Sequence, residues 1–128
     1  QLAMGQSTES GSFMLGCGIA HPPRFFSQQD IAALFGLSPK GLRFFEHPHI
    51  KTRALALPEL PFTPESAGQL RQRALKITLE LASEALRRAS ANAHVALSSI
   101  DCLIAVTSTS FATPGLSAQL AQALGLKE

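Results

Sequence analysis

The chain is short of charge. Asp, Glu, Lys and Arg make up 16% of its 128 residues, against roughly 25% in soluble domains. Neither Trp nor Tyr occurs in it. So little charge in a small chain points to a surface that other protein covers; the alternative is an ordinary surface rich in Ala and Leu. The net charge of +2 carries no argument for nucleic acid. Cys17 and Cys102 stand far apart in apolar surroundings, which excludes a disulfide framework and a zinc site and leaves a reducing cytoplasm as the expected location. No run approaches the ~18 uninterrupted apolar residues that a membrane span needs. Residues 1–12 have neither the charged nor the apolar region of a signal peptide. Residues 1–13 are expected to be a flexible tail or a leftover of expression, and residues 14–128 a single domain with mass enough for a core.

What is present alternates between short apolar runs and helical patterns. Phe13 to Ala20 is an apolar run with glycines, expected as a buried strand and ended by Pro22 and Pro23. Ser27 caps a helix from about Gln28 to Phe35, with Asp30 at the positive end and a break at Gly36. Ser38-Pro39 opens a second helix reaching about His47, stopped by Pro48. Ile50 to Leu57 reads as extended. A long helix is expected from Thr63-Pro64 to about Ala91, with Leu70, Ala74, Ile77, Leu81, Ala85 and Ala89 at helical spacing. Asp101 to Thr107 reads as a strand covered on both faces, which makes Cys102 a core thiol. Thr113-Pro114 opens a last helix that Gly125 ends. Strands separated by helices imply an α/β class with crossover connections.

Two stretches could carry chemistry. From Lys40 to Arg53, four fixed cations (Lys40, Arg43, Lys51 and Arg53) face one carboxylate, Glu46. Lys40, Arg43 and His47 share one face of a helix, a comb of donors able to grip a polyphosphate. The same spacing also suits a solvated amphipathic helix. The second stretch runs from Asp101 into Thr107, Ser108, Thr109 and Ser110, then Thr113, Pro114, Gly115 and Leu116. It sets hydroxyls at the carboxyl end of a strand, where open α/β sheets bind ligands. Helix caps and turns use the same residues.

Both stretches resemble type III polyketide synthases, the chalcone synthase group, and best the bacterial members. That family has a basic helix of the form Lys-x-x-Arg-x-x-x-Lys leading into Ile-x-x-Arg-x-x-x-Leu-Pro. Here the positions are Lys40, Arg43 and His47, then Ile50, Arg53, Leu57 and Pro58, with His47 replacing the last lysine. An unperturbed imidazole is mostly uncharged at neutral pH, so His47 is the weaker member. Asp101 to Leu116 is similar to the family's stretch ending in Pro-Gly-Leu, with Ser110 standing where glycine is usual. Pro22 and Pro23 with Gln28 or Gln29 echo its Pro-Pro-x-x-x-x-Gln, and the likeness extends from Gly18 to Leu126.

The resemblance implies the N-terminal part of a thiolase-like αβαβα fold, with a mixed sheet and covering helices. It implies coenzyme A phosphate contacts for Lys40, Arg43 and His47, and a substrate pocket lined by Ser108 and Thr109. Thr113 would lie at a dimer interface. The substrates would be acyl- and malonyl-coenzyme A, with no tightly bound cofactor, no metal, and no nucleic-acid or membrane partner. The family's nucleophilic cysteine, its histidine, and its histidine–asparagine oxyanion pair lie beyond Glu128, so no catalytic residue is expected in this chain. Cys17, between Gly16 and Gly18, sits at the wrong end to be the nucleophile. The chain is therefore expected to be an inactive fragment that forms a homodimer, another homo-oligomer or a swapped arrangement. A ketoacyl synthase III-like or hydroxymethylglutaryl-coenzyme A synthase-like parent stays open, as does a stand-alone coenzyme A-binding or partner subunit.

Overall fold

The computed structural model describes residues 11–45, 49–58, 62–108 and 113–126. In chain order the elements are β1 (Phe25–Ser27), α1 (Gln28–Phe35), α2 (Pro39–Phe45), β2 (Thr52–Ala54), α3 (Ala67–Ala93), a 3-10 turn at Leu97–Ser99, and α4 (Leu116–Leu124). The class is mixed α and β, as the sequence implies.

Helix α1 has the ends its sequence announces. Ser27 Oγ accepts from the Asp30 N–H at 3.1 Å, and the Asp30 carboxylate accepts from the Ser27 N–H at 2.8 Å. This reciprocal pair satisfies two donors that the first turn would otherwise leave open. Gly36 closes the helix in the left-handed region, φ 58°, where its N–H reaches Ala32 and Ala33. In α2 the Ser38 hydroxyl accepts from the Gly41 N–H at 3.2 Å. The expected end of this helix near His47 falls at 46–48, outside the described residues.

Helix α3 begins later than Thr63-Pro64 suggests. Ser66 is its N-cap, accepting from Gln69 N–H at 3.3 Å while Gln69 Oε1 accepts from Ser66 N–H at 2.9 Å. A capping box satisfies two backbone donors at once, whereas proline at the first turn only avoids exposing one. The helix then runs 27 residues to a left-handed His94, φ 53°, a rod about 40 Å long. Helix α4 likewise starts at Leu116 after Gly115 rather than at Thr113-Pro114, and ends at Gly125 as expected.

Among the described residues the sheet is one antiparallel pair, with Phe25 opposite Ala54, Phe26 opposite Arg53 and Ser27 opposite Thr52. The two longer apolar runs differ from expectation. Residues 13–20 and 101–107 form no helix or strand and join no ladder among the described residues. The first lies along α3, where Gly16 and Gly18 let the backbones meet. A Cβ at Gly18 would stand 2.1 Å from the Ala85 carbonyl oxygen, and one at Gly16 2.8 Å from the Ala93 nitrogen. Asn92 Nδ2 donates to the Cys17 carbonyl at 2.9 Å, and Arg88 donates to that of Ile19 at 2.9 Å. Backbone is thus held by helix side chains, while Phe13, Met14, Leu15 and Ile19 point outward. In 101–107, Leu103 and Ala105 are half-buried, whereas Ile104 is 81% and Val106 91% exposed. The run is covered on one side only, and Cys102 is exposed rather than a core thiol.

Burial confirms how open the chain is. Its accessible surface is 10590 Å², against about 6,600 Å² for a compact monomer of this mass by size scaling. Phe26, Ile31 and Leu120 are the buried apolar side chains among the described residues. No helix among these residues is long and apolar enough to cross a membrane.

Candidate functional site: a clamped basic segment

Lys40 and Arg43 stand three residues apart on α2, and both are exposed. Leu42, between them, is half-buried. Helix α2 packs on α1, so the two cations point to solvent from a supported element. His47, the third member of the comb, lies outside the described residues.

From His49 the chain passes into β2. His49, Ile50, Lys51 and Thr52 line an open hollow of about 600 Å³. Three devices fix the segment that follows. At its start, Gln28 Nε2 donates to the Ile50 carbonyl at 2.5 Å. In its middle, Thr52, Arg53 and Ala54 pair with β1, and the Leu55 N–H extends the pairing to Arg24 O at 3.1 Å. At its end, Arg73 of α3 donates from Nη1 to the Ala56 carbonyl at 3.1 Å. Glu65 holds that guanidinium through two bonds, Oε1 to Nε at 2.9 Å and Oε2 to Nη2 at 2.7 Å. The pair moves both groups: Arg73 holds the Glu65 carboxyl below its ordinary range, and Glu65 raises the Arg73 value.

Segment 50–56 is therefore anchored from α1, β1 and α3 together. An anchored strand presenting Lys51 and a supported helix presenting Lys40 and Arg43 can each offer cationic donors to an anion without ordering backbone on binding.

The hydroxyl stretch is placed differently. Ser108 ends the run 101–107 and is exposed; Thr113 is exposed ahead of α4. Thr109 lies outside the described residues. Helix α4 packs on α3, so Thr113 leads into the α3–α4 pair, whereas Lys40 and Arg43 are carried by α2 on α1.

Sequence reasoning missed several residues that build the site. Strand β1 is three residues long and abuts a helix cap, too short for an alternation signal. Arg73 lies outside the apolar set at helical spacing in α3, yet it is half-buried and ties α3 to the strand exit. Gln28 entered only as a motif echo; the structure distinguishes it from Gln29, since Gln28 is 7% exposed and Gln29 is exposed.

No family model matches the chain. Among curated proteins it is similar to the 3,5-dihydroxyphenylacetyl-CoA synthase of Streptomyces toyocaensis, 35% identical over 118 residues, which covers 88% of this chain and 30% of that protein. The enzyme of the same name from Amycolatopsis orientalis is 32% identical over 118 residues, covering 87% of this chain and 31% of that protein. Among solved structures, a fungal type III polyketide synthase superposes with a TM-score of 0.75 at 27% identity, over 90% of this chain and 34% of that one. The chain thus spans about a third of the length of the proteins it matches. By sequence and by its thiolase-like fold it belongs with the type III polyketide synthases.

Proposed function

We propose that this chain is the N-terminal part of an acyltransferase that condenses an acyl-coenzyme A starter with malonyl-coenzyme A. Within it Lys40 and Arg43 meet the coenzyme A phosphates, His47 assists them, and Ser108 and Thr109 face the acyl pocket. Thr113 belongs to the seam between two copies. Coenzyme A thioesters are substrates in this reading, and no cofactor is held tightly. The observation that carries it is the pairing of likeness with geometry: within the stretch resembling the family's basic motif, segment 50–56 is anchored from three sides, and Lys40, Arg43 and Lys51 are exposed. Two relatives are named for a coenzyme A thioester, which supports that ligand class.

The chemistry of such a parent needs a cysteine thiolate, lowered in pKa by a neighbouring imidazolium, to carry the acyl group. Decarboxylation of the malonyl unit then supplies the carbon nucleophile, and an oxyanion hole stabilises the enolate and the tetrahedral adduct. No cysteine of this chain is assigned that role: Cys17 sits in the run laid against α3, and Cys102 is in the exposed run. We therefore propose that the chain alone does not catalyse condensation, and that its open apolar surface works in contact with further protein, a second copy included.

The test is calorimetric titration of coenzyme A into the chain across a salt series. Lys40→Ala with Arg43→Ala should weaken binding at least about tenfold, since charge-assisted hydrogen bonds carry that much. Affinity should fall as salt rises. Equal affinity of the double variant and the parent would remove the phosphate-binding role.

A further inference from the structure

Gln28 lies outside the basic motif, yet its side chain reaches across 22 residues to the start of it. It is the first residue of α1, and 7% exposed. A primary amide presents a donor end and an acceptor end, and a carbonyl oxygen can accept only from the donor end. The Ile50 carbonyl therefore fixes the orientation of the amide. The opposite atom, Oε1, is buried and accepts no hydrogen bond among the described residues. A buried amide oxygen left without a donor is rare in folded proteins. The polar contact this amide makes is thus the one to Ile50, at the edge of the hollow that Lys51 and Thr52 line.

From this contact we infer that Gln28 is a positioning residue for the coenzyme A site, setting where the chain at Ile50 leads into β2. This rests on the coenzyme A reading above and adds a residue and a route to it. The ladder to β1 begins only at Thr52. Ahead of Thr52, the Gln28 amide anchors the backbone at Ile50. Without it, Lys51 and the hollow would lose their hold from α1, and the position of Lys51 would relax. Ile50 is part-exposed at 37%, so water can replace the lost donor and the fold should survive. The expected cost therefore falls on ligand affinity rather than on folding.

The experiment uses the full chain, coenzyme A as probe, and two variants. Gln28→Leu removes both amide ends at similar volume. Gln28→Glu offers the Ile50 carbonyl a repelling carboxylate when ionised and an O–H donor when protonated. The parent should bind. Gln28→Leu should bind roughly five- to tenfold more weakly, the worth of one net hydrogen bond, with helix content and melting temperature retained. For Gln28→Glu, affinity relative to the parent at the same pH should fall at neutral pH and recover as pH drops. Parent-like affinity of Gln28→Leu overturns the inference and leaves the coenzyme A reading standing. Absence of binding by the parent at low salt overturns both. If Gln28→Leu does not fold, Gln28→Glu decides: a pH-independent ratio to the parent overturns the inference.

Discussion

Arg73 and Glu65 form a two-pronged ion pair at the start of α3, with Nε to Oε1 at 2.9 Å and Nη2 to Oε2 at 2.7 Å. The fork leaves Nη1 free to hold the Ala56 carbonyl. Planar recognition of this kind suits arginine and not lysine, because three donors are used in fixed directions at once. One side chain thereby fixes the loop before α3 and the strand that leaves the basic segment.

The pair gives the stability of the chain a pH dependence with a defined sign. The Arg73 hydrogen bonds lower the folded-state pKa of Glu65 below its ordinary 4.5. Hydrogen bonds from the Ser27 hydroxyl and backbone likewise lower that of Asp30 below 3.8. A depressed carboxylate stabilises above its unfolded pKa and loses that contribution as pH falls through the folded value. Melting temperature should therefore drop on acidification from about pH 5 towards pH 3. Glu65→Gln combined with Asp30→Asn should flatten that limb. A limb as steep as the parent's would mean that other carboxylates set the acid behaviour.

Two glycines should respond with opposite signs. At Gly18 an added Cβ meets the Ala85 carbonyl oxygen at 2.1 Å and the Ala89 nitrogen at 2.5 Å, both backbone atoms that cannot swing away. Gly18→Ala should destabilise by about 1–3 kcal/mol or more. Gly68, in the first turn of α3, has Ser66 Oγ at 3.9 Å as its near neighbour. Gly68→Ala should stabilise by up to about 1 kcal/mol through helix propensity. Denaturant midpoints of the two variants check both signs, and a neutral Gly18→Ala would mean that residues 13–20 do not lie on α3.

The uncovered face predicts association. Ile104 and Val106 are 81% and 91% exposed on one side of the run 101–107, and contiguous apolar surface of this kind marks contact with other protein. At tens of micromolar the chain should sediment above its monomer mass of 13.6 kDa. Ile104→Asp with Val106→Asp should shift it towards monomer, with stability changed by no more than about 0.5 kcal/mol because the side chains are exposed. Unchanged sedimentation of the double variant would assign association to another surface.

Local rules carried the sequence reading furthest. Ser27 with Asp30, and Gly36 and Gly125 in left-handed closures, are short-range motifs, and the structure shows each of them. The family likeness was legible in the Lys40–Pro58 and Asp101–Leu116 patterns, and sequence relatives and a superposable structure bear it out. Burial of 13–20 and 101–107 was not legible, because an apolar run signals a need for cover without showing where the cover comes from. The clamp was hidden for another reason. Gln28 to Ile50 and Arg73 to Ala56 join residues 22 and 17 apart, and no periodicity records a side chain reaching a distant carbonyl.

The start of α3 separates two cap assignments by a single pair of substitutions. The sequence offers Thr63 followed by Pro64, and it also offers Ser66 followed three residues later by Gln69. The structure uses the second pair, with both reciprocal bonds formed. Removing a serine cap leaves the Gln69 N–H without its acceptor and weakens the capping box, a loss of about 1 kcal/mol. Thr63 is exposed and precedes the helix by four residues, so its truncation should stay within about 0.5 kcal/mol of neutral. Urea denaturation of Ser66→Ala and Thr63→Ala measures both. The same cap holds the turn from which Glu65 reaches Arg73, so Ser66→Ala should also weaken the hold on Ala56. The Leu57 amide, next along the chain, should then exchange its hydrogen faster in Ser66→Ala than in Thr63→Ala. Equal exchange would show that Arg73 keeps its grip without help from the cap.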